Sequence, residues 1–239
     1  MKLNDIVAVL DDAFPFSQQE SWDCSGVQLY REEVNSILVC LDITDEALKQ
    51  AKANGCELIV AHHPLIFGAY YDSYPYIRAI FQECYAHNIA IMGMHTNFDN
   101  DKKGMNYQFL KLLGYDEYAF ADNIITFAAV GNVISKLQSL RLPLRIYNWQ
   151  AKLARGAIVL GAGGSFIEQI NRLKCNFFIS SEFKHHEILY AKEHGITLID
   201  VSHQAEMIFV DVVTKYLQSK LNVKVRPFYD RYLIDNLSF

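Results

Sequence analysis

His62 and His63 are adjacent and run directly into Pro64. Successive side chains on a strand face opposite ways. Two neighbouring imidazoles therefore serve one site only where a strand is ending and the backbone turns. Pro64 suits such an end, because it fixes its own φ and restricts His63 to extended geometry. Imidazole is the commonest metal ligand, and two differently aimed rings suit two ions; the alternative is a pair of hydrogen-bonded surface histidines. His95-Thr96-Asn97-Phe98-Asp99 brings a carboxylate beside an imidazole, the N/O mixture that suits Zn, Mn, Fe, Co or Ni. Asp99 reads equally as a turn residue among Asn97, Asn100, Asp101 and Gly104. His203 and Glu206 share a face if a helix begins there; otherwise Glu206 is a helix-start acid complementing the dipole. His95 is the candidate catalytic group, moving protons near neutral pH, with a structural hydrogen bond as the alternative.

Each of these positions follows a short apolar run. Residues 36–42 read as a buried strand, Thr44 as the N-cap of a helix that Gly55 ends, and residues 58–61 as the strand that delivers His62. A helix near 75–87 leads to a strand at 89–92 and to His95, and a further helix near 104–113 closes at Gly114. Residues 124–134 and 144–149 read as strands around a short helix begun by Ser135. The strand–helix rhythm returns with strands at 157–160, 176–180 and 196–201 and a helix at 184–194. This alternation predicts an α/β protein of two related lobes, with mixed sheets covered by helices and the metal site between them. Residues 1–120 and 155–239 would form the halves and 121–154 a β-rich part of the second lobe, with no separate inserted domain. Ala51-Lys52-x-x-Gly55-x-x-Leu58-Ile59-x-x-x-His63 recurs with an offset of 140 residues as Ala191-Lys192-x-x-Gly195-x-x-Leu198-Ile199-x-x-x-His203. In open α/β sheets ligands bind at the carboxyl ends of strands, which is where these histidines fall. The bland reading is that a glycine cap before an apolar strand is ordinary grammar.

Composition excludes several classes. Of 239 residues, 51% are hydrophobic and 21% charged, so a disordered chain is ruled out, and the net charge of −5 argues against a general nucleic-acid binder. No run approaches the roughly 18 apolar residues of a membrane span, and Asp11 and Asp12 interrupt any signal-like segment. Five scattered cysteines without a C-x-x-C spacing predict a reduced, cytoplasmic protein. The Gly161–Ser165 turn lacks both G-x-G-x-x-G and a P-loop lysine, and reads as tight packing rather than a phosphate cradle. His87, His185, His186 and His194 fall on helices, where a solvated face is the default.

Taken together, Trp22-Asp23-Cys24-Ser25-Gly26-Val27-Gln28, Ile59-Val60-Ala61-His62-His63-Pro64-Leu65, His95 through Asp99 with Gly104-Met105-Asn106, Ile179-Ser180-Ser181-Glu182 and Asp200-Val201-Ser202-His203 through Glu206 resemble the Nif-three-like proteins, also known as GTP cyclohydrolase 1 type 2 homologs. The resemblance implies two α/β lobes, a dinuclear site, a ring-shaped homohexamer and the short bacterial form. Its implied ligands are His62, His63, Asp99, His203 and Glu206, holding two divalent metal ions. Three departures stand out. Cys24 replaces the family's usual Asn, Ser180-Ser181-Glu182 replaces Thr-Gly-Glu, and His203 and Glu206 are three apart after Ser202 instead of four apart after Gly. The implied activity is a metal-dependent hydrolase that converts GTP and water to 7,8-dihydroneopterin triphosphate and formate by way of an activated hydroxide. The two ions outweigh the two carboxylates, so an anionic small-molecule substrate is expected. A phosphoesterase or other nucleotide hydrolase, and a non-catalytic metal-binding ring scaffold, are the alternatives. Four tyrosines in Tyr70–Tyr76 read as a subunit contact or as a lid.

Overall fold

The computed structural model describes residues 1–68 and 74–230. Tyr70 and Tyr71 lie outside the described residues; Tyr74 and Tyr76 are exposed, with ring centroids 5.9 Å apart. In chain order the elements begin with α1 (Leu3–Ala13), β1 (Gly26–Leu29), β2 (Ser36–Cys40), α2 (Asp45–Ala53), β3 (Leu58–Ala61), α3 (Pro75–Ala86), β4 (Ala90–Gly93), α4 (Thr96–Asp99) and α5 (Met105–Leu112). There follow β5 (Ala119–Ala121), β6 (Ile124–Ala128), α6 (Val133–Ser139), β7 (Arg145–Tyr147), β8 (Arg155–Ile158), α7 (Ile167–Arg172), β9 (Phe177–Ser180), α8 (His185–Glu193), β10 (Thr197–Asp200), α9 (Ile208–Lys220) and β11 (Lys224–Pro227).

The described residues form two compact units, one within 1–98 together with 209–230, the other of Asp99–Ile208. The first contains a mixed sheet in the order β1-β4-β3-β2-β11, with β4, β3, β2 and β11 parallel and β1 antiparallel to β4. Strands β2, β3 and β4 are buried along their whole length, as strands covered on both faces must be. Leu38, Cys40, Ile59, Ala61 and Ile91 pack into one core with Ala47 and Leu48 of α2 and Ile77 and Ile80 of α3. α2 starts as its sequence dictates, with the Thr44 hydroxyl accepting from the Ala47 amide at 3.2 Å. Tyr216 of α9 donates its hydroxyl to the Val9 carbonyl of α1 at 3.2 Å.

The second unit holds a mixed sheet in the order β5-β6-β8-β9-β10-β7, whose parallel centre β8-β9-β10 is flanked by antiparallel strands. Ala157, Phe178 and Leu198 of that centre pack on Ile170 of α7 and Ala191 of α8. Both units are thus α/β with helix-covered mixed sheets, as expected. The repeated sequence pattern is repeated in structure. Gly55 and Gly195 both adopt positive φ (+62° and +65°), the conformation that lets a helix end on glycine. The next amide then reaches back, Cys56 to the Ala51 carbonyl at 2.8 Å and Ile196 to that of Ala191 at 2.9 Å.

Two boundaries differ from expectation: the strand expected at 157–160 runs over Arg155–Ile158, and the second lies near 124–134. The run at 124–134 stops being strand at Ala128, and α6 begins at Val133 because Asn132, not Ser135, is its cap. The Asn132 side chain accepts from the Ser135 amide at 3.1 Å, so Ser135 supplies the capped N–H. All five cysteines are free thiols, four of them buried. Among the described residues no helix is long and apolar enough to cross a membrane.

Candidate metal centre

In the first unit the carboxyl ends of three neighbouring strands supply the chemistry. β2 delivers Asp42, β3 delivers His62 and His63, and β4 delivers His95. A donor nitrogen from each of the three histidines lies within 4.8 Å of the others', and the ring centroids stand 4.8 Å (His62–His63), 5.3 Å (His62–His95) and 5.6 Å (His63–His95) apart. His62 is fully buried, on an aromatic floor of Phe98 and Phe209.

The hydrogen bonds of these rings place a proton on Nδ1. His62 Nδ1 lies 2.8 Å from the Met94 carbonyl oxygen. A carbonyl only accepts, so Nδ1 carries the proton and Nε2 the lone pair. His63 Nδ1 lies 2.6 Å from Asp42 Oδ1, and His95 Nδ1 2.9 Å from Asp23 Oδ1. An oxygen acceptor behind Nδ1 and a lone pair on Nε2 is how metal-ligating histidines are held.

Asp23 is the most heavily engaged of these acceptors. Its side chain is fully buried and also accepts from the Cys24 amide at 2.7 Å, the Ser25 hydroxyl at 2.7 Å, and the Thr96 amide and hydroxyl at 3.0 and 2.5 Å. Burial pushes its pKa up, but the bonds from His95 and Thr96, the nearby imidazole and the Ser25 bond outweigh that, holding it well below the usual carboxylate range.

In the second unit the pattern recurs at the end of β10. His203 and Glu206 lie on a 3-10 helix, His203–Met207. With three residues per turn, that helix eclipses positions three apart, so the shortened spacing keeps the pair together. His203 Nε2 is 3.3 Å from Glu206 Oε2, while its Nδ1 lies 2.8 Å from Glu182 Oε1. An imidazole nitrogen and a buried carboxylate oxygen at that separation are reconciled by a proton or a cation between them. Gly161, at φ +73°, makes room for this acid, since a Cβ there would lie 2.8 Å from Glu206 Oε1. The glycine turn is indeed packing: Ser181 Oγ accepts from the Gly161 amide and Ser180 Oγ from the Gly163 amide, both at 3.1 Å.

Ser202, just before His203, holds φ +63° with ψ 153°, a region populated almost only by glycine. Ser202→Gly is therefore expected to raise stability by about 1 kcal/mol and the melting temperature by about 2–4 °C. An unchanged or lower melting temperature would contradict the strain.

Asp99 is the half-buried last residue of α4 and the first residue of the second unit. The remaining histidines are surface groups, as expected from their helices. His87 sits 3.4 Å from Glu83, His185 and His186 are exposed, and His194 stacks on Tyr190. Sequence reasoning passed over three residues, the carboxylates Asp23, Asp42 and Glu182 that orient the imidazoles. The signal was present for two of them, because Asp42 and Glu182 follow strand ends just as the histidines do. Beside His63 a cavity of about 450 Å³ is lined by Asp42, Thr44, Asp45, Pro64 and Tyr76, with no Lys or Arg in its wall among the described residues.

Helix-covered mixed sheets whose strand ends carry oriented imidazoles and acids define an α/β protein with histidine and glutamate groups that could hold a metal ion. The chain belongs to the DUF34/NIF3 (NGG1p interacting factor 3) family, whose model matches residues 1–230. It is 34% identical over 232 residues to a "GTP cyclohydrolase 1 type 2 homolog" of Campylobacter jejuni, covering 92% of this chain and 93% of that protein. It is 28% identical over 233 residues to a "GTP cyclohydrolase 1 type 2" of Helicobacter pylori strain J99, covering 91% and 92%. Among solved structures, Staphylococcus aureus protein SA1388 superposes with a TM-score of 0.84 at 24% identity over 100% and 99% of the two chains. The protein ybgI, described as of unknown function, superposes at 0.88 with 18% identity over 97% and 99%. At these identities the structures speak for the fold alone.

Proposed function

We propose that this chain is a divalent-metal-dependent hydrolase acting on GTP, with His62, His63, Asp99, His203 and Glu206 holding two ions and His95 moving protons. The observation that carries the reading is the oxygen acceptor that faces Nδ1 of His62, His63 and His95 alike. Each has its Nδ1 committed to an oxygen acceptor, so the donor set fits a borderline cation. His203, backed in the same way by Glu182, supplies the matching donor in the second unit. Divalent ions in such a set supply Lewis acidity and bring the pKa of water from about 15.7 to roughly 7.

The protein's own contribution is orientation and proton traffic. Asp23 fixes the His95 ring so that Nε2 is presented for taking and returning a proton. Asp42 does the same for His63, and the floor of Phe98 and Phe209 keeps water from the back of His62. The cavity beside His63 has the volume of a small-molecule site. The name carried by the Campylobacter and Helicobacter relatives supports GTP as the substrate, and the net reaction would yield 7,8-dihydroneopterin triphosphate and formate. Family membership supports assembly as a homohexamer.

The test is incubation of pure protein, loaded separately with Zn, Mn, Fe(II), Co and Ni, with GTP. Pterin fluorescence and formate are expected with at least one metal. Neither product with any of the five would reject the reading, and phosphate release alone would redirect it to a nucleotide phosphoesterase.

A further inference from the structure

Trp22 is the largest apolar side chain in its unit, and it is 59% exposed, in contact with the imidazole cluster. Its ring lies 5.9 Å from Phe67 at 81° and 6.1 Å from His95 at 73°, and Phe67 lies 5.8 Å from His95 at 82°. Three rings thus meet edge to face at the mouth of the histidine group.

The loop that carries this indole is clamped. The Glu20 amide donates to Thr96 Oγ1 at 2.9 Å, the Asp23 amide to the Glu20 carbonyl at 3.0 Å, the Ser25 amide to Gln19 Oε1 at 3.1 Å, and the His95 amide to Ser25 Oγ at 2.9 Å. With the Asp23 carboxylate tied to five donors, the backbone on both sides of Trp22 is held against the start of α4. An exposed indole on a fixed loop costs little further ordering when it meets a ligand.

We propose that Trp22, buttressed by Phe67, is a stacking platform for the planar ring of the substrate, placing a nitrogen heterocycle of nucleobase type against His95. A flat π-face stacks on any base, so the platform selects ring shape and leaves the identity of the base to other contacts. The alternative partner of an exposed indole is a cation. Metal ions at the neighbouring imidazoles would repel one and favour a neutral ring with an anionic tail, an argument that rests on the metal reading above.

The chain has two tryptophans, and Trp149 lies in the other unit, so Trp149→Phe leaves Trp22 as the sole indole reporter. In that Mn-loaded protein, guanosine and adenosine are expected to quench the emission, while ribose 5-phosphate and tetramethylammonium leave it unchanged. Trp22→Ala is expected to weaken guanosine binding roughly ten-fold by equilibrium dialysis, the scale of one base–aromatic stack. Trp22→Phe should recover most of that loss, with metal content and circular dichroism unchanged in both variants. Wild-type guanosine affinity in Trp22→Ala, quenching by tetramethylammonium in place of the nucleosides, or no nucleoside binding at all would overturn the platform. Binding of both nucleosides through Trp22 without GTP turnover would keep the platform and reject the cyclohydrolase reading. Turnover of GTP with an unchanged KM in Trp22→Ala would do the reverse.

Discussion

His63→Ala and Glu206→Gln are each expected to reduce bound metal from two ions per chain to one or none after dialysis against a Zn buffer, read by elemental analysis. His63 presents Nε2 because Asp42 occupies its Nδ1. Removing the ring removes a donor and leaves Asp42 without its partner. Glu206→Gln keeps the shape of the buried side chain and exchanges one charged acceptor oxygen for an NH2 donor, so a loss of metal there is a loss of ligation, not of packing. A fall in stoichiometry in both variants is what the proposed five-residue ligand set requires. Two ions retained in either variant, or none in the wild type, would dissolve the five-residue ligand set.

Asp23→Ala is expected to cost about 3 kcal/mol, since it strands the Cys24 and Thr96 amides and the His95 Nδ1–H around a vacated buried carboxylate. In thermal unfolding this is a fall of about 6–12 °C for a chain of this size. The sign of the pH dependence follows from the depressed carboxyl. A group whose folded pKa lies below its unfolded value of about 3.9 contributes stability above that value and loses it as pH falls towards the folded pKa. The gap between wild type and Asp23→Asn should therefore be full at neutral pH and narrow below about pH 4. A cost under about 1 kcal/mol, the scale of one ordinary hydrogen bond, or a gap that widens in acid, would show that the network does not stabilise the fold.

Much of this arrangement can be read from the chain because its strands are short apolar runs bounded by glycine or by the site residues themselves. Leu58–Ala61 and Thr197–Asp200 are found from composition alone, and the His-bearing ends follow from where each run stops. β11 carries no such signal. It contains Lys224, Arg226 and Pro227 and is a strand because β2 offers it an edge in parallel register. The orienting carboxylates were missed for a related reason. Asp42 lies 21 residues from His63, Asp23 lies 72 from His95, and Glu182 lies 21 from His203. Parallel pairing of β2 with β3 and of β9 with β10, and antiparallel pairing of β1 with β4, bring those partners together, and no local pattern records which strands become neighbours. The three-residue spacing of His203 and Glu206 suggests an α-helical face, whereas the 3-10 helix gives the same alignment by a tighter winding.

The first unit is built from both ends of the chain, with β11 laid beside β2 after a whole second unit has intervened. During synthesis the N-terminal sheet emerges from the ribosome with one edge bare, and it waits for the final segment before that edge is covered. The uninterrupted Asp99–Ile208 portion has no such delay. A chain cut short before Lys224 would therefore keep every strand of the second unit and leave the first without its border strand β11.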